Sequence, residues 1–166
     1  MNIELTVAPP EAAAVLENLF QYYVHDFSEV IAMDVGADGK FASRSLQAYW
    51  QDAWRHPFLA RVAGCYAGFA LVHQRSHLTA EPGVCDVAEF FVLRRYRRRG
   101  LGAALAQQVF DSFPGRWEVR QLAANRAATA FWRSVIADYT QGKFQETELD
   151  DPRWRGPMQT FDNTAR

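Results

Sequence analysis

RRYRRRGLGAAL (residues 94–105) packs five arginines into six positions, then two glycines, then the opening of an apolar-faced segment. Three readings compete for it: a basic surface for nucleic acid, a solvated charge run, or a cradle for the phosphates of a small molecule. What flanks it decides among them. Upstream, CDVAEFFVL (85–93) reads as a long strand with Phe90 and Val92 on one face and Glu89 and Phe91 on the other. Downstream, Leu101, Leu105, Val109 and Phe113 recur at helical spacing. The stretch is a strand-to-helix turn. The first N–H groups of a helix have no partner inside it, and the helix dipole places positive charge there. Gly100 and Gly102 keep side chains out of a ligand's way and reach backbone angles closed to other residues. Such a turn suits an anion, and arginine flanks suit one with several phosphates. No Gly-Lys-Ser/Thr follows, so this is not the Walker pattern, and the third glycine of a dinucleotide fingerprint is missing.

The bulk composition weighs against nucleic acid. Among 166 residues the formal net charge is -1 and the pI about 6.4, so the arginines are a local excess, balanced by acids such as ETELDD (146–151). A hydrophobic content of 49% is ample for the core of one domain spanning residues 1–166. Cys65 and Cys85 lack metal-ligand spacing, no metal is expected, and both are read as buried, reduced thiols. No apolar run reaches the length of a membrane span, and MNIELTVAPPEAAA lacks the basic and apolar regions of a signal peptide. A soluble cytoplasmic protein is expected.

Outward from the turn, the pattern gives an α+β order. NIELTV (2–7) alternates as a strand. Val15, Leu16, Leu19, Phe20, Tyr23, Phe27 and Ile31 then form a helical stripe entered through prolines. VGADGK (35–40) is a loop, and residues 45–54 read as a second short helix. PFLARVAG and CYAGFALVHQ form a hairpin about Gly64, followed by the polar turn HLTAEPGV. Beyond the helix at 100–113 come the strand WEVRQL, a helix from Asn125 to about Ile136, and the strands KFQETEL and GPMQTF around a DDPRWR loop. The sheet is mostly antiparallel, with parallel pairing only around the helix after Arg99.

Two segments together carry a family resemblance. FFVLRRYRRRGLGA (90–103) and NRAATAFW (125–132) resemble the GCN5-related N-acetyltransferases, whose signature is Gln/Arg-x-x-Gly-x-Gly/Ala after an aromatic–Val strand, with an Asn-x-x-Ala-x-x-x-Tyr helix beyond. The resemblance covers residues 57–145 well. It implies the GNAT fold, a mixed, mostly antiparallel twisted sheet of about seven strands flanked by about four helices. It implies acetyl-CoA as co-substrate, with pantetheine along Phe90, Phe91 and Val92. The pyrophosphate would lie on the turn made by Arg97, Arg98, Arg99, Gly100, Leu101, Gly102 and Ala103, and Asn125 would reach the cofactor. Trp132 stands where the family commonly has a tyrosine general acid, so it is assigned to lining the cofactor channel.

Direct acetyl transfer to a primary amine of a small molecule or peptide needs a base. Glu89 is the first choice, at a place where the family often carries an acid, and Glu118 is second; Asp86 ranks below both. An indole N–H cannot deliver a proton to a thiolate. Either Tyr139 does so, or the sulfur leaves unassisted, which a thiol pKa near about 8.5 permits. Tyr22, His25, Asp26 and Trp50, with Tyr23 and Trp54, are candidates for the acceptor pocket. His73 and His77 flank a turn without evident metal partners. The rivals are a CoA-binding sensor that has lost catalysis, suggested by Trp132, and a nucleic-acid-binding domain. The closing hairpin offers an edge through which two copies can pair as a homodimer.

Overall fold

The computed structural model describes residues 3–42 and 45–164. Seven strands, β1 (Glu4–Val7), β2 (Arg55–Val62), β3 (Cys65–Arg75), β4 (Pro82–Val92), β5 (Arg116–Arg120), β6 (Gln145–Asp151) and β7 (Trp154–Asp162), form one sheet. Three helices, α1 (Ala13–Phe27), α2 (Leu101–Asp111) and α3 (Arg126–Thr140), cover it. In space the strands run β1-β2-β3-β4-β5-β7-β6. Neighbours are antiparallel except β4 and β5, which the crossover through α2 makes parallel.

The departures from the sequence reading have local causes. Residues 45–54 hold only a 3-10 turn at Gln47–Trp50 instead of a fourth helix. One turn followed at once by β2 leaves no room to recover the cost of helix nucleation. The first helix ends at Phe27, where the Ser28 hydroxyl donates to the His25 carbonyl at 2.6 Å, so Ile31 falls in the following loop. Asn2, the start of the expected first strand, lies outside the described residues. DDPRWR is mostly strand, since Asp151 pairs with Trp154 across a tight turn. Among the described residues, no helix is long and apolar enough to cross a membrane.

Alternation along β3 divides the core in two. Ala70 and Val72 face α2 and α3, joining Leu105, Phe110, Trp117 and Ile136. Phe69 and Leu71 face α1, joining Leu16, Phe20 and Phe91. Full burial of each such large apolar side chain contributes roughly 1.5–3 kcal/mol.

The β2–β3 hairpin closes on Ala63 and Gly64, both at positive φ (50° and 77°), the two-residue turn whose twist matches its strands. That turn leaves Cys65 exposed at the rim, so the expectation of two buried thiols holds for Cys85 alone. Burial, with the nearby charge of Asp86, pushes the Cys85 thiol up to about 11.

The feature that matters most is where pairing stops. β4 and β5 are joined only at Val84↔Arg116, Cys85↔Trp117 and Asp86↔Glu118. The β3–β4 register then slips between Val72↔Val87 and Leu71↔Glu89, a bulge at Ala88 that bends β4 away. Residues 89–92 stay paired to β3 while their other edge has no strand partner among the described residues.

β3 and β4 come very close at Gly68, where a Cβ would stand 2.1 Å from the Phe91 carbonyl oxygen. Gly68→Ala should therefore lower stability by about 1–3 kcal/mol through backbone displacement. Denaturant unfolding measures this, and an unchanged midpoint would contradict the geometry.

Candidate active site

The turn quoted at the outset begins with a 3-10 turn at Arg94–Tyr96 and enters α2 through Gly100 at φ +76°. Arg98 is also left-handed, at φ +58°. The first helical bond is Ala104 N–H to Gly100 O at 3.1 Å, so the amides of residues 98–103 have no protein acceptor among the described residues. Gly102 does a second job: a Cβ there would press on Phe131 at 3.1 and 3.3 Å, so its absence lets the start of α2 lie against α3. Leu101 offers only its amide, because its side chain is buried in the core.

These amides open onto a cleft of about 670 Å³ that runs along the free edge of β4 and is walled by Phe90, Val92, Asn125, Phe131 and Trp132. A second cavity of about 520 Å³, holding Glu89, His73, His77, Arg120 and Trp154, shares Tyr23, Phe27, Phe90, Asn125, Ala128 and Trp132 with it. The two adjoin along these shared residues. The amides of the turn border the first, and the Glu89 carboxylate the second.

The family model for the acetyltransferase (GNAT) family matches residues 16–135. The chain belongs to the GNAT acetyltransferases. None of the curated proteins compared matches it. Among solved structures it is similar in fold to an acetyltransferase from Thermus thermophilus, with 17% identity, a TM-score of 0.73, and coverage of 98% of this chain and 97% of that one. An aminoglycoside acetyltransferase in complex with coenzyme A and kanamycin gives 16% identity, TM-score 0.66, and 99% and 96% coverage. A spermidine N-acetyltransferase from Vibrio cholerae in complex with CoA and spermine gives 10%, 0.63, and 98% and 96%.

Within this GNAT protein the candidate residues divide sharply. Phe90, Phe91, Val92, Arg97, Arg98, Gly100, Gly102, Ala103, Asn125 and Trp132 all line the cleft. Arg99 is exposed and does not. Asn125 caps α3, its side-chain oxygen accepting from the Ala128 N–H at 3.1 Å. Trp132 is buried, edge-on to Phe90 at 4.9 Å and to Phe131 at 5.0 Å, so it both packs and lines.

Glu89 reaches the second cavity and accepts a 2.6 Å hydrogen bond from Tyr23 on α1. The other acids do not reach it freely. Glu118 accepts from the Ser76 hydroxyl at 2.9 Å and lines a separate surface depression. Burial raises its carboxyl above the ordinary range against that hydrogen bond. Asp86 is fully buried and bound by Arg120 through two bonds of 2.9 Å. Tyr139 is a core residue: its hydroxyl donates to Asp111 at 2.7 Å and accepts from Asn163 at 3.2 Å, away from the cleft.

The acceptor candidates need similar correction. The Trp50 indole donates to the Ala8 carbonyl at 2.9 Å and faces the α1 core, and the Trp54 ring is contacted by the guanidiniums of Arg55 at 4.3 Å and Arg75 at 4.9 Å. Tyr22 and His25 line an outer surface groove. Tyr23 and Phe27 are the α1 aromatics that reach both cavities. Arg120 was not among the candidates, although Glu118 and Arg120 share one face of the strand WEVRQL and a charge buried there demands a partner. Among the described residues, no group of three or more His, Cys, Asp or Glu is arranged to hold a metal ion.

Asp26 binds arginines rather than an amine. It accepts from Arg94 Nε at 3.0 Å and from Arg97 Nη2, while Arg97 Nε donates to the Val92 carbonyl at 2.6 Å. α1 is thereby fastened to the turn. Burial pushes the Asp26 carboxyl up, but the two arginine hydrogen bonds outweigh it and hold it below its ordinary range. A depressed carboxylate stabilises the fold at and above its unfolded pKa, and that contribution fades as pH falls through the lower folded value. Because both arginines are largely solvated, Asp26→Asn should cost under about 1 kcal/mol at pH 7. The difference from wild type should shrink below about pH 4. Urea melts at several pH values check this, and a gap that widens on acidification would exclude it.

Proposed function

We propose that this GNAT protein is an N-acetyltransferase that moves an acetyl group from acetyl-CoA directly to a primary amine. The observation that carries the reading is a pair of adjoining cavities that share six residues, one bordered by the unbonded amides of residues 98–103 and the open edge of β4, the other by the carboxylate of Glu89. Solved relatives holding coenzyme A with kanamycin or with spermine support both the co-substrate and an amine acceptor.

The residues fit the cofactor. Six consecutive turn amides and the adjacent helix start suit a diphosphate, Arg98 adds charge, and the backbone of residues 90–92 offers hydrogen-bonding groups to an extended amide chain. Bound acetyl-CoA supplies an activated thioester, whose C–S bond breaks as the N–C bond forms. An amine with pKa near about 10.4 is neutral in only about one molecule in two thousand at pH 7, a handicap of roughly 4–5 kcal/mol. Glu89 offsets part of this by taking the ammonium proton. The Tyr23 hydroxyl holds it in place to do so. Trp132 cannot give a proton to the departing sulfur and Tyr139 is committed elsewhere, so that proton comes from solvent. The products are the acetylated amine and free coenzyme A thiol. A sensor that has lost catalysis explains Trp132 but gives no role to the oriented Glu89.

Ala103→Glu tests the cradle. A glutamate in the first turn favours the helix, so the fold should persist while acetyl-CoA affinity, read by titration calorimetry, drops by at least about tenfold through charge repulsion. Wild-type protein that fails to bind acetyl-CoA would sink the reading. Glu89→Gln should lower kcat by about a hundredfold or more with acetyl-CoA affinity unchanged. A pH–rate profile identical to wild type would remove Glu89 as the base.

A further inference from the structure

We infer that the acceptor is an apolar or aromatic monoamine that also carries a carbonyl or carboxylate oxygen, and that Arg120 binds that oxygen. This rests on the acetyltransferase reading and adds the class of amine.

The first observation is charge. The acceptor cavity is walled by Phe20, Tyr23, Phe27, Met33 and Trp154, and its one lining carboxylate among the described residues is Glu89. Asp86 lies beneath it, fully buried and already bound by Arg120. A polyamine or aminoglycoside brings several ammonium groups, each of which needs a partner when taken from water. One carboxylate serves one ammonium, the reacting one. His73, His77, Gln121 and Asn125 add polar groups to the wall but no second carboxylate, and the aromatic and aliphatic side chains between them suit an apolar body.

The second observation is Arg120 itself. Its Nε and Nη2 each donate to Asp86, and its Nη1 has no acceptor among the described residues. Nη1 is not sealed off, for Gln121 Oε1 alone is an enclosed side-chain polar atom without a partner there. Arg120 is one of the residues lining the acceptor cavity, its side chain 5% exposed, so the guanidinium edge that Asp86 does not use is the part left for a ligand there. The guanidinium lies 4.3 Å from the Trp154 ring centroid and is gripped at two points by Asp86, so these donors have a fixed direction. A planar, preorganised donor with an unused edge matches a carbonyl or carboxylate oxygen. Glu89 and Arg120 on one cavity thus ask for an amine at one end of the acceptor and an oxygen at another.

The test uses wild-type protein with acetyl-CoA and follows thiol release for phenylalaninamide, phenylalanine, phenethylamine, spermidine and kanamycin. With kcat/KM referred to the fraction of each amine that is neutral at the assay pH, the better of the two oxygen-bearing amines should exceed phenethylamine by at least about tenfold, the worth of one charge-assisted hydrogen bond. Whether that is the amide or the acid distinguishes a carbonyl from a carboxylate. Parity with phenethylamine, or better turnover of spermidine or kanamycin, overturns the inference. Arg120→Lys keeps a cation beside Asp86 but loses the fork, and should reduce the preference over phenethylamine at least about fivefold. An undiminished preference would remove Arg120 from the acceptor site. Quenching of tryptophan fluorescence that is lost in Trp154→Phe, and so reports on Trp154 among the five tryptophans, gives a readout without turnover. If acetyl-CoA binds and no amine in the panel releases thiol, amine acetylation fails for these compounds while the fluorescence titration still decides the class. Tighter binding of phenylalaninamide or phenylalanine than of phenethylamine upholds it, and equal or absent binding overturns it.

Discussion

The buried ion pair between Asp86 and Arg120 stands at the fork of the sheet. Asp86 is the last residue of β4 paired to β5, and Arg120 lies two residues beyond its partner Glu118. The guanidinium binds the carboxylate through two 2.9 Å bonds at the point where the strands separate. Removing two charges from water is costly, and the cost is offset only when geometry is good and further contacts exist. Here the fork is bidentate, Trp154 covers one guanidinium face, and His73 approaches Asp86 at 4.0 Å. The pair holds the strand bases together while the bulge at Ala88 carries β4 away, and the groove is the space so created.

Everything chemical hangs on that separation. An edge of β4 without a strand neighbour exposes backbone groups that must find partners elsewhere. α2, launched from the end of β4, brings its unbonded amides to the upper end of the same edge. α1 crosses on the other face and contributes Tyr23 to Glu89 and Asp26 to the arginines. The arginine cluster is thus divided in its work. Arg94 and Arg97 tie the turn to α1, while Arg98 faces the cleft.

Much of this was legible in the residues, because the decisive signals are local. Strand, turn and helix around Gly100 follow from alternation, glycine and periodicity within a short span, and the single parallel pair follows from the length of the crossover. Tyr139 and Trp50 were misassigned for a common reason. An aromatic near a motif in sequence points wherever its helix face dictates, and the α3 face bearing Tyr139 packs on Phe110 and Phe161, not on the cleft. Glu118 was misassigned because strand parity gives a face but not what lies on it. Residues 45–54 had helical spacing but too little length to sustain a helix.

The sequence by itself determined the family, most of the element order and the glycine turn that starts α2, because short-range periodicity and glycine stereochemistry specify these without reference to the rest of the chain. The tertiary structure decided which carboxylate lines the cavity beside Tyr23, which arginines are already paired, and that Arg120 is bound to Asp86 where β4 and β5 part. Those outcomes depend on where β4 parts from β5 and on contacts between residues far apart in the chain, and no local pattern encodes them.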